Sequence, residues 1–225
     1  MEALKIQNKG QAQLFYNRRL EFFTKSNPLV IWGMYLAIIT ALLYRAIISI
    51  QLQGSLIILL FVTGSFSWTL FEYLIHRFLF HFITENKIGK RVIYIFHANH
   101  HEYPRDKTRL FMPLLPSLIV AAFFFFAMYF IAGVFWNKYY AIPFFSGFIF
   151  YYLVYASMHY AIHSIKPPFK WMKALWRNHH LHHYKEEQKG FGVSTTLWDR
   201  VFGTMYKSQY YSKYSKMKIV ESTNN

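Results

Sequence analysis

At 225 residues the chain is sized for one domain or one compact membrane unit. It is 54% hydrophobic and only 16% charged, where a soluble domain carries about 25% charge, so an ordinary soluble globule is a poor fit. With no cysteine, disulfides, thiolate metal sites and thiol catalysis are excluded, and the net charge of +15 does not mark a nucleic-acid binder, because the basic residues flank apolar runs and form no single stripe.

Residues 1–28 are polar and mixed in charge, with no apolar region ahead of a cleavage site, so no secretory signal is expected there. The first apolar stretch, 29–44, is short for a spanning helix and ends at Arg45, whose head group can snorkel to the interface. A second, 53–71, runs uncharged into Glu72. The third, 111–136, is the strongest span, and the fourth, 139–163, again carries no formal charge. The alternative, buried helices of a soluble protein, fits the charge deficit less well. Of the aromatic residues, most are expected to face lipid, the run of Phe at 123–126 included, and some can line a slot for an acyl chain.

These stretches predict an all-α membrane protein of four transmembrane helices in two hairpins. Five Lys/Arg lie in 1–28, seven in 77–110 and eleven in 164–225, while the opposite turns carry little beyond Arg45 and Lys138. By the positive-inside rule both termini and the central segment are cytoplasmic. The expected division is a cytoplasmic segment 1–28, a membrane domain 29–206 with a cytoplasmic helical cap, and a basic polar tail 207–225. The flanking Lys and Arg are suited to anionic lipid.

All eleven histidines fall in four clusters: HRFLFH (His76, His81), HANHH (His97, His100, His101), HYAIH (His159, His163) and HHLHH (His179, His180, His182, His183). Neutral imidazole is the commonest metal ligand among side chains. Every cluster lies at, or just beyond, the cytoplasmic end of a span. Fifteen residues separate His81 from His97 and fifteen separate His163 from His179, which makes a weak internal repeat of two half-sites.

His159 and His163 are i,i+4 and share a helical face. The triplets His97/His100/His101 and His179/His182/His183 are i,i+3,i+4, a spacing that lets one helix offer two or three nitrogens to a common point. His76 and His81 are i,i+5, about 140° apart on a regular helix, so they need a helix end, a distortion, or ligation to different ions. One ligand per spaced position gives ten, with His180 left over, and ten nitrogens imply two ions. Imidazole suits both zinc and iron, and zinc alone has no redox chemistry.

Glu72, one turn before His76 in an apolar segment, can orient a ligand by accepting its spare ring N–H, or can pair with Arg77. Asp199 can be a helix cap, a partner of Arg200, or a group that orients a ligand. The glycines of KGFGVST (189–195) allow a tight turn across the metal site.

EYLIHRFLFH, HANHHEYPRD, SMHYAIH and NHHLHHYKEEQKGFGVSTTLWDRVFGT, in that order, resemble the fatty acid hydroxylase/sterol desaturase superfamily, and within it the fatty acid 2-hydroxylase branch. The resemblance covers about residues 14–206. It implies a membrane monooxygenase with two irons, zinc being a possible occupant of purified protein. On the same resemblance the enzyme would use dioxygen to hydroxylate a fatty acyl chain, as free acid or sphingolipid, at C2. The ligands it implies are His76, His81, His97, His100, His101, His159, His163, His179, His182 and His183. The acyl tail is expected among the transmembrane helices, with its head near a cap made by 77–110 and 164–206.

Relatives often carry an N-terminal haem-binding electron-transfer domain. No histidine precedes His76, so a separate electron-donor protein is the expected partner. That leans towards a bacterial inner membrane, with the endoplasmic reticulum as the eukaryotic counterpart. Lipid desaturation and sterol or carotenoid hydroxylation are alternatives within the superfamily. A zinc carrier or metal-stabilised scaffold is the non-enzyme alternative, but a carrier's ligands should run across the bilayer rather than gather on one face.

Overall fold

The structure, a computed structural model, describes residues 6–207 and Tyr210, so nearly all of the tail expected at 207–225 lies outside the described residues. Every regular element among the described residues is helical: α1 (Arg18–Phe22), α2 (Pro28–Tyr44), α3 (Gly54–Leu74), α4 (Lys87–Ile93), α5 (Asn99–Glu102), α6 (Leu114–Phe135), α7 (Ala141–Ser164), α8 (Lys173–Tyr184) and α9 (Leu197–Val201), with short 3₁₀ and π turns between or after them. Four helical stretches are long and apolar enough to cross a membrane, Pro28–Ser49, Gly54–Phe80, Lys107–Phe135 and Lys138–Ser164, and the protein is a membrane protein. The first is longer than its apolar run. Asn27 caps it ahead of Pro28, and a π turn, Arg45–Ser49, continues it past Arg45.

The chain forms two compact units. One contains Gln13–Phe71 and Asp106–Tyr160, and so most of the four long helices. Its core joins Ile31, Tyr35 and Ile39 of α2 to Phe145, Phe148, Ile149, Leu153 and Ala156 of α7. In lipid, apolar burial gives helices little reason to associate, and close packing takes over. Here α3 and α7 meet backbone to backbone. A Cβ added at Gly64 would lie 1.9 Å from the Phe144 carbonyl oxygen, one at Gly147 would lie 1.9 Å from that of Phe61, and the Ser65 hydroxyl donates to the Gly147 carbonyl at 3.0 Å.

The Phe run on α6 divides as a helix surface must. Phe124 and Phe125 pack on the core, while Phe123 and Phe126 are exposed, as bilayer contact requires. Arg109, nearly buried, joins α1 to the turn before α6 by pairing with Glu21 and with Asp106 (2.6 Å).

The other unit contains Glu72–Arg105 with the described parts of Met1–Ala12 and Ala161–Asn225. All the histidines except His159 belong to it. The boundary between the units falls within α3, before Glu72, and within α7, before Ala161.

Candidate metal centre

Within the second unit the imidazoles gather into two groups. His76, His81, His97, His101 and His182 each offer one ring nitrogen to a set whose members lie within 4.8 Å of one another, and His100, His163, His179 and His183 do the same. His159, in the other unit, is buried and precedes His163 by four residues in α7.

The pair at i,i+5 reaches one group through a distortion. After Leu74 the helix α3 widens into a π turn, Ile75–Phe80, closed by the His81 N–H donating to the His76 carbonyl at 3.2 Å. A π turn takes more residues per revolution, so i and i+5 fall on one side where a regular helix separates them. A second π turn, Tyr94–Ala98, precedes α5 and carries His97. His97 Nε2 is the hub of the first group: Nε2 of His76, His81 and His101 lie 3.1, 3.2 and 2.9 Å from it.

In the second group His179 Nε2 lies 2.9 Å from His163 Nε2 and 3.1 Å from His183 Nε2, and the His100 ring sits 4.6 Å from the rings of His163 and His183. The two groups abut. His101 and His183 stack with centroids 4.2 Å apart.

The groups are not the two halves of the sequence repeat. Each triplet sends its i and i+4 members to one group and its i+3 member to the other. His97 and His101 join the first group while His100 joins the second; His179 and His183 join the second while His182 joins the first. The reason is angular: i and i+4 are about 40° apart around a helix, whereas i+3 is rotated about 100° from i+4. A single common point for each triplet, which the spacing also permitted, is not what forms. The halves exchange one histidine each.

The donor set fits a metal. Each Nε2 has a single site, one proton or one lone pair, so His97 cannot hydrogen-bond to three other nitrogens at once. Nitrogens about 3 Å apart are what a shell of metal–nitrogen bonds of about 2.0–2.1 Å produces. The tautomers agree. His76 Nδ1 donates to the Phe191 carbonyl (2.5 Å) and His182 Nδ1 to the Lys189 carbonyl (2.8 Å), which leaves both Nε2 atoms as lone pairs. His182 Nε2 is buried with no hydrogen-bond partner, as suits a nitrogen that serves a metal.

Burial pushes the imidazoles of His97, His101, His182 and His183 well below their ordinary range, and the charge on neighbouring histidines adds to the shift. Burial, with His76 beside it, pushes His81 down to about 2. All five are therefore held neutral, the form that binds metal. The groups can hold metal ions, and nitrogen donors of this kind suit iron or zinc.

The carbonyls of Lys189 and Phe191 come from the segment between α8 and α9. Gly190 there has φ +70°, and a Cβ on Gly192 would lie 2.0 Å from the Thr195 carbonyl oxygen, so the tight turn expected of KGFGVST is present and needs both glycines. Buried Asp199 accepts from the N–H groups of Phe191 (2.9 Å) and Gly192 (2.8 Å), from the Thr204 hydroxyl (2.7 Å) and from Asn178 (3.4 Å). Burial pushes its carboxyl up, against the lowering effect of these hydrogen bonds.

Glu72 accepts from the same segment, at Val193 and Ser194, whereas Arg77 donates to the Tyr73 hydroxyl at 2.9 Å. His180 belongs to neither group. Sequence reasoning named no backbone carbonyl, and Asn178, Thr204 and Tyr206, which tie the segment down, carried no recognisable signal. Tyr206 donates to the Lys189 carbonyl at 2.9 Å.

Residues 61–204 match the fatty acid hydroxylase family. The chain is 38% identical over 87% of its length to the ceramide very long chain fatty acid hydroxylase SCS7 of Saccharomyces cerevisiae, of which it spans 50%. It is 32% identical over 89% of its length to the dihydroceramide fatty acyl 2-hydroxylase FAH1 of Arabidopsis thaliana, of which it spans 82%. The solved structure of full-length scs7p, in which only the hydroxylase domain is visible, superposes with a TM-score of 0.79 at 36% identity, over 88% of this chain and 74% of that one. The chain therefore belongs to the fatty acid hydroxylase family.

Proposed function

We propose that the protein is a membrane monooxygenase with two irons that hydroxylates a fatty acyl chain at C2, on a free acid or a sphingolipid. The observation that carries this reading is the gathering of neutral, mostly buried imidazoles into two abutting groups, in a chain whose relatives are named as fatty acyl hydroxylases. His76, His81, His97, His101 and His182 would hold one ion. His100, His163, His179 and His183 would hold the other, with His159 added from the preceding turn of the same helix.

Two irons with dioxygen supply an oxidant strong enough for an unactivated C–H bond, and the protein's part is binding and orientation. The balance is one acyl C–H bond, dioxygen, two electrons and two protons giving one C–OH bond and one water. A separate donor protein supplies the electrons. The basic residues flanking the spans support a cytoplasmic side for both termini and the histidines, and the proposed membrane is a bacterial inner membrane or the endoplasmic reticulum.

The test is lipid mass spectrometry of cells expressing the chain, with His163→Ala as the control. Acyl chains heavier by one oxygen atom, fragmenting to place it at C2, are the expected result, lost in His163→Ala. Acyl chains lighter by two hydrogens would indicate desaturation and overturn the hydroxylase reading. A modified sterol or carotenoid with unchanged acyl chains would overturn the substrate. Full product from His163→Ala would overturn the ligand assignment.

A further inference from the structure

Four successive backbone N–H groups, those of residues 191–194, point at two buried carboxylates, two to each. Phe191 and Gly192 donate to separate oxygens of Asp199, at 2.9 and 2.8 Å. Val193 and Ser194 donate to Oε1 of Glu72, at 3.3 and 3.0 Å, and the Ser194 hydroxyl donates to Oε2 at 2.8 Å. Asp199 is 0% and Glu72 4% exposed. Burying two carboxylates is costly unless their oxygens are well satisfied, and a surface turn has no need of them.

The carbonyls of the same segment face the histidines. The Phe191 peptide groups link the two directly: the Phe191 N–H donates to Asp199 while the Phe191 carbonyl accepts from His76 Nδ1. Two residues earlier the Lys189 carbonyl accepts from His182 Nδ1. Both histidines belong to the first group.

We infer that Glu72 and Asp199 are positioning residues for one ion of the pair: by clamping residues 191–194 they fix the carbonyls that hold His76 and His182, and so aim both Nε2 lone pairs into the first group. The inference rests on the ligand assignment proposed above. It gives the two carboxylates a role through the backbone, where a carboxylate in direct contact with a ligand's N–H would be the simpler arrangement. Because neither His76 nor His182 belongs to the second group, the effect is confined to one of the two metal positions.

The experiment uses the full chain, purified in detergent, stripped of metal and titrated with Zn(II), with metal counted per chain and amide hydrogen exchange followed over residues 189–195. Wild type binds two ions. Glu72→Ala is expected to weaken one of them by about ten- to a hundredfold, to leave the other unchanged, and to speed exchange in 191–194. Retention of the second ion is the internal sign that the chain is folded.

Glu72→Gln keeps Oε1 for both amides and can donate to the Ser194 hydroxyl, so it restores the lost affinity; a general packing defect would not discriminate in this way. His76→Ala is the reference for loss of one ion. The inference is overturned if Glu72→Ala binds both ions as wild type does while His76→Ala loses one. It is overturned equally if Glu72→Ala loses both ions together, or if Glu72→Gln is as defective as Glu72→Ala. Full binding of both ions by His76→Ala would overturn the ligand assignment itself.

Discussion

Asp199→Asn isolates the loop clamp with the smallest change in shape. The two loop amides are accepted by different oxygens, Phe191 N–H by Oδ1 and Gly192 N–H by Oδ2. An asparagine offers one oxygen and one NH₂, so in either orientation one amide faces a donor. Thr204 and Asn178 can adapt, the first by rotating its hydroxyl and the second by flipping its amide; a backbone N–H cannot. The cost is one buried, unsatisfied donor, about 1–3 kcal/mol. For a chain of this size that lowers the unfolding midpoint by roughly 2–12 °C. Thermal unfolding in detergent, with amide exchange at 191 and 192, is the assay. An unchanged midpoint with unchanged protection at both amides would refute the geometry.

Four further outcomes follow from named contacts. Gly192→Ala places a methyl group 2.0 Å from the Thr195 carbonyl oxygen and 2.9 Å from the Asp199 carboxylate; it should cost about 1–3 kcal/mol by overpacking and lower the metal count per chain, whereas Gly33→Ala, inside α2 with nothing within 4 Å, should lower neither. Gly147→Leu should separate α3 from α7 and lower the yield of folded protein, read by size-exclusion chromatography, because its Cβ meets the Phe61 carbonyl with no flexible side chain to give way. His180→Ala should bind two metal ions per chain and His182→Ala one, since only His182 belongs to a group. Chelation should lower the unfolding midpoint, by the loss of about 2.7 kcal/mol per ion when free metal stands at a hundred times the dissociation constant.

The sequence carried the helices and the histidine census because both are periodic signals. Uncharged runs of spanning length and ligands at i,i+3,i+4 need no tertiary information to be recognised. What escaped depends on backbone detail. The i,i+5 spacing of His76 and His81 required a distortion, and nothing in IHRFLF says that a π turn supplies it. The fifteen-residue gaps pointed to two half-sites, and the angle between i+3 and i+4, which the gaps do not carry, exchanges His100 and His182 between the groups.

Glu72 stood out in the sequence as a carboxylate in an apolar segment, to orient a ligand or to pair with Arg77, yet it accepts from Val193 and Ser194, more than a hundred residues away. Asp199 looked like an ordinary cap beside Arg200, and its depth of burial is visible only in the fold. The carbonyls of Lys189 and Phe191 had no signal beyond the glycines that turn the chain around them. The Phe run on α6 followed composition only in part: Phe123 and Phe126 are exposed, whereas Phe124 and Phe125 turn to the core, because four consecutive residues cannot share one helix face.

The origin of the inserted oxygen atom can be read by isotope. The full chain, loaded anaerobically with iron and supplied with a reductase system and a long-chain acyl substrate in lipid bilayers, is exposed to dioxygen labelled with oxygen-18, and the product is fragmented by mass spectrometry. A hydroxylase with two irons gives a single labelled oxygen at C2, in step with iron bound up to two ions per chain. An unsaturated product, an oxygen drawn from water, or an acyl chain left unchanged by protein carrying both irons would contradict the hydroxylase reading.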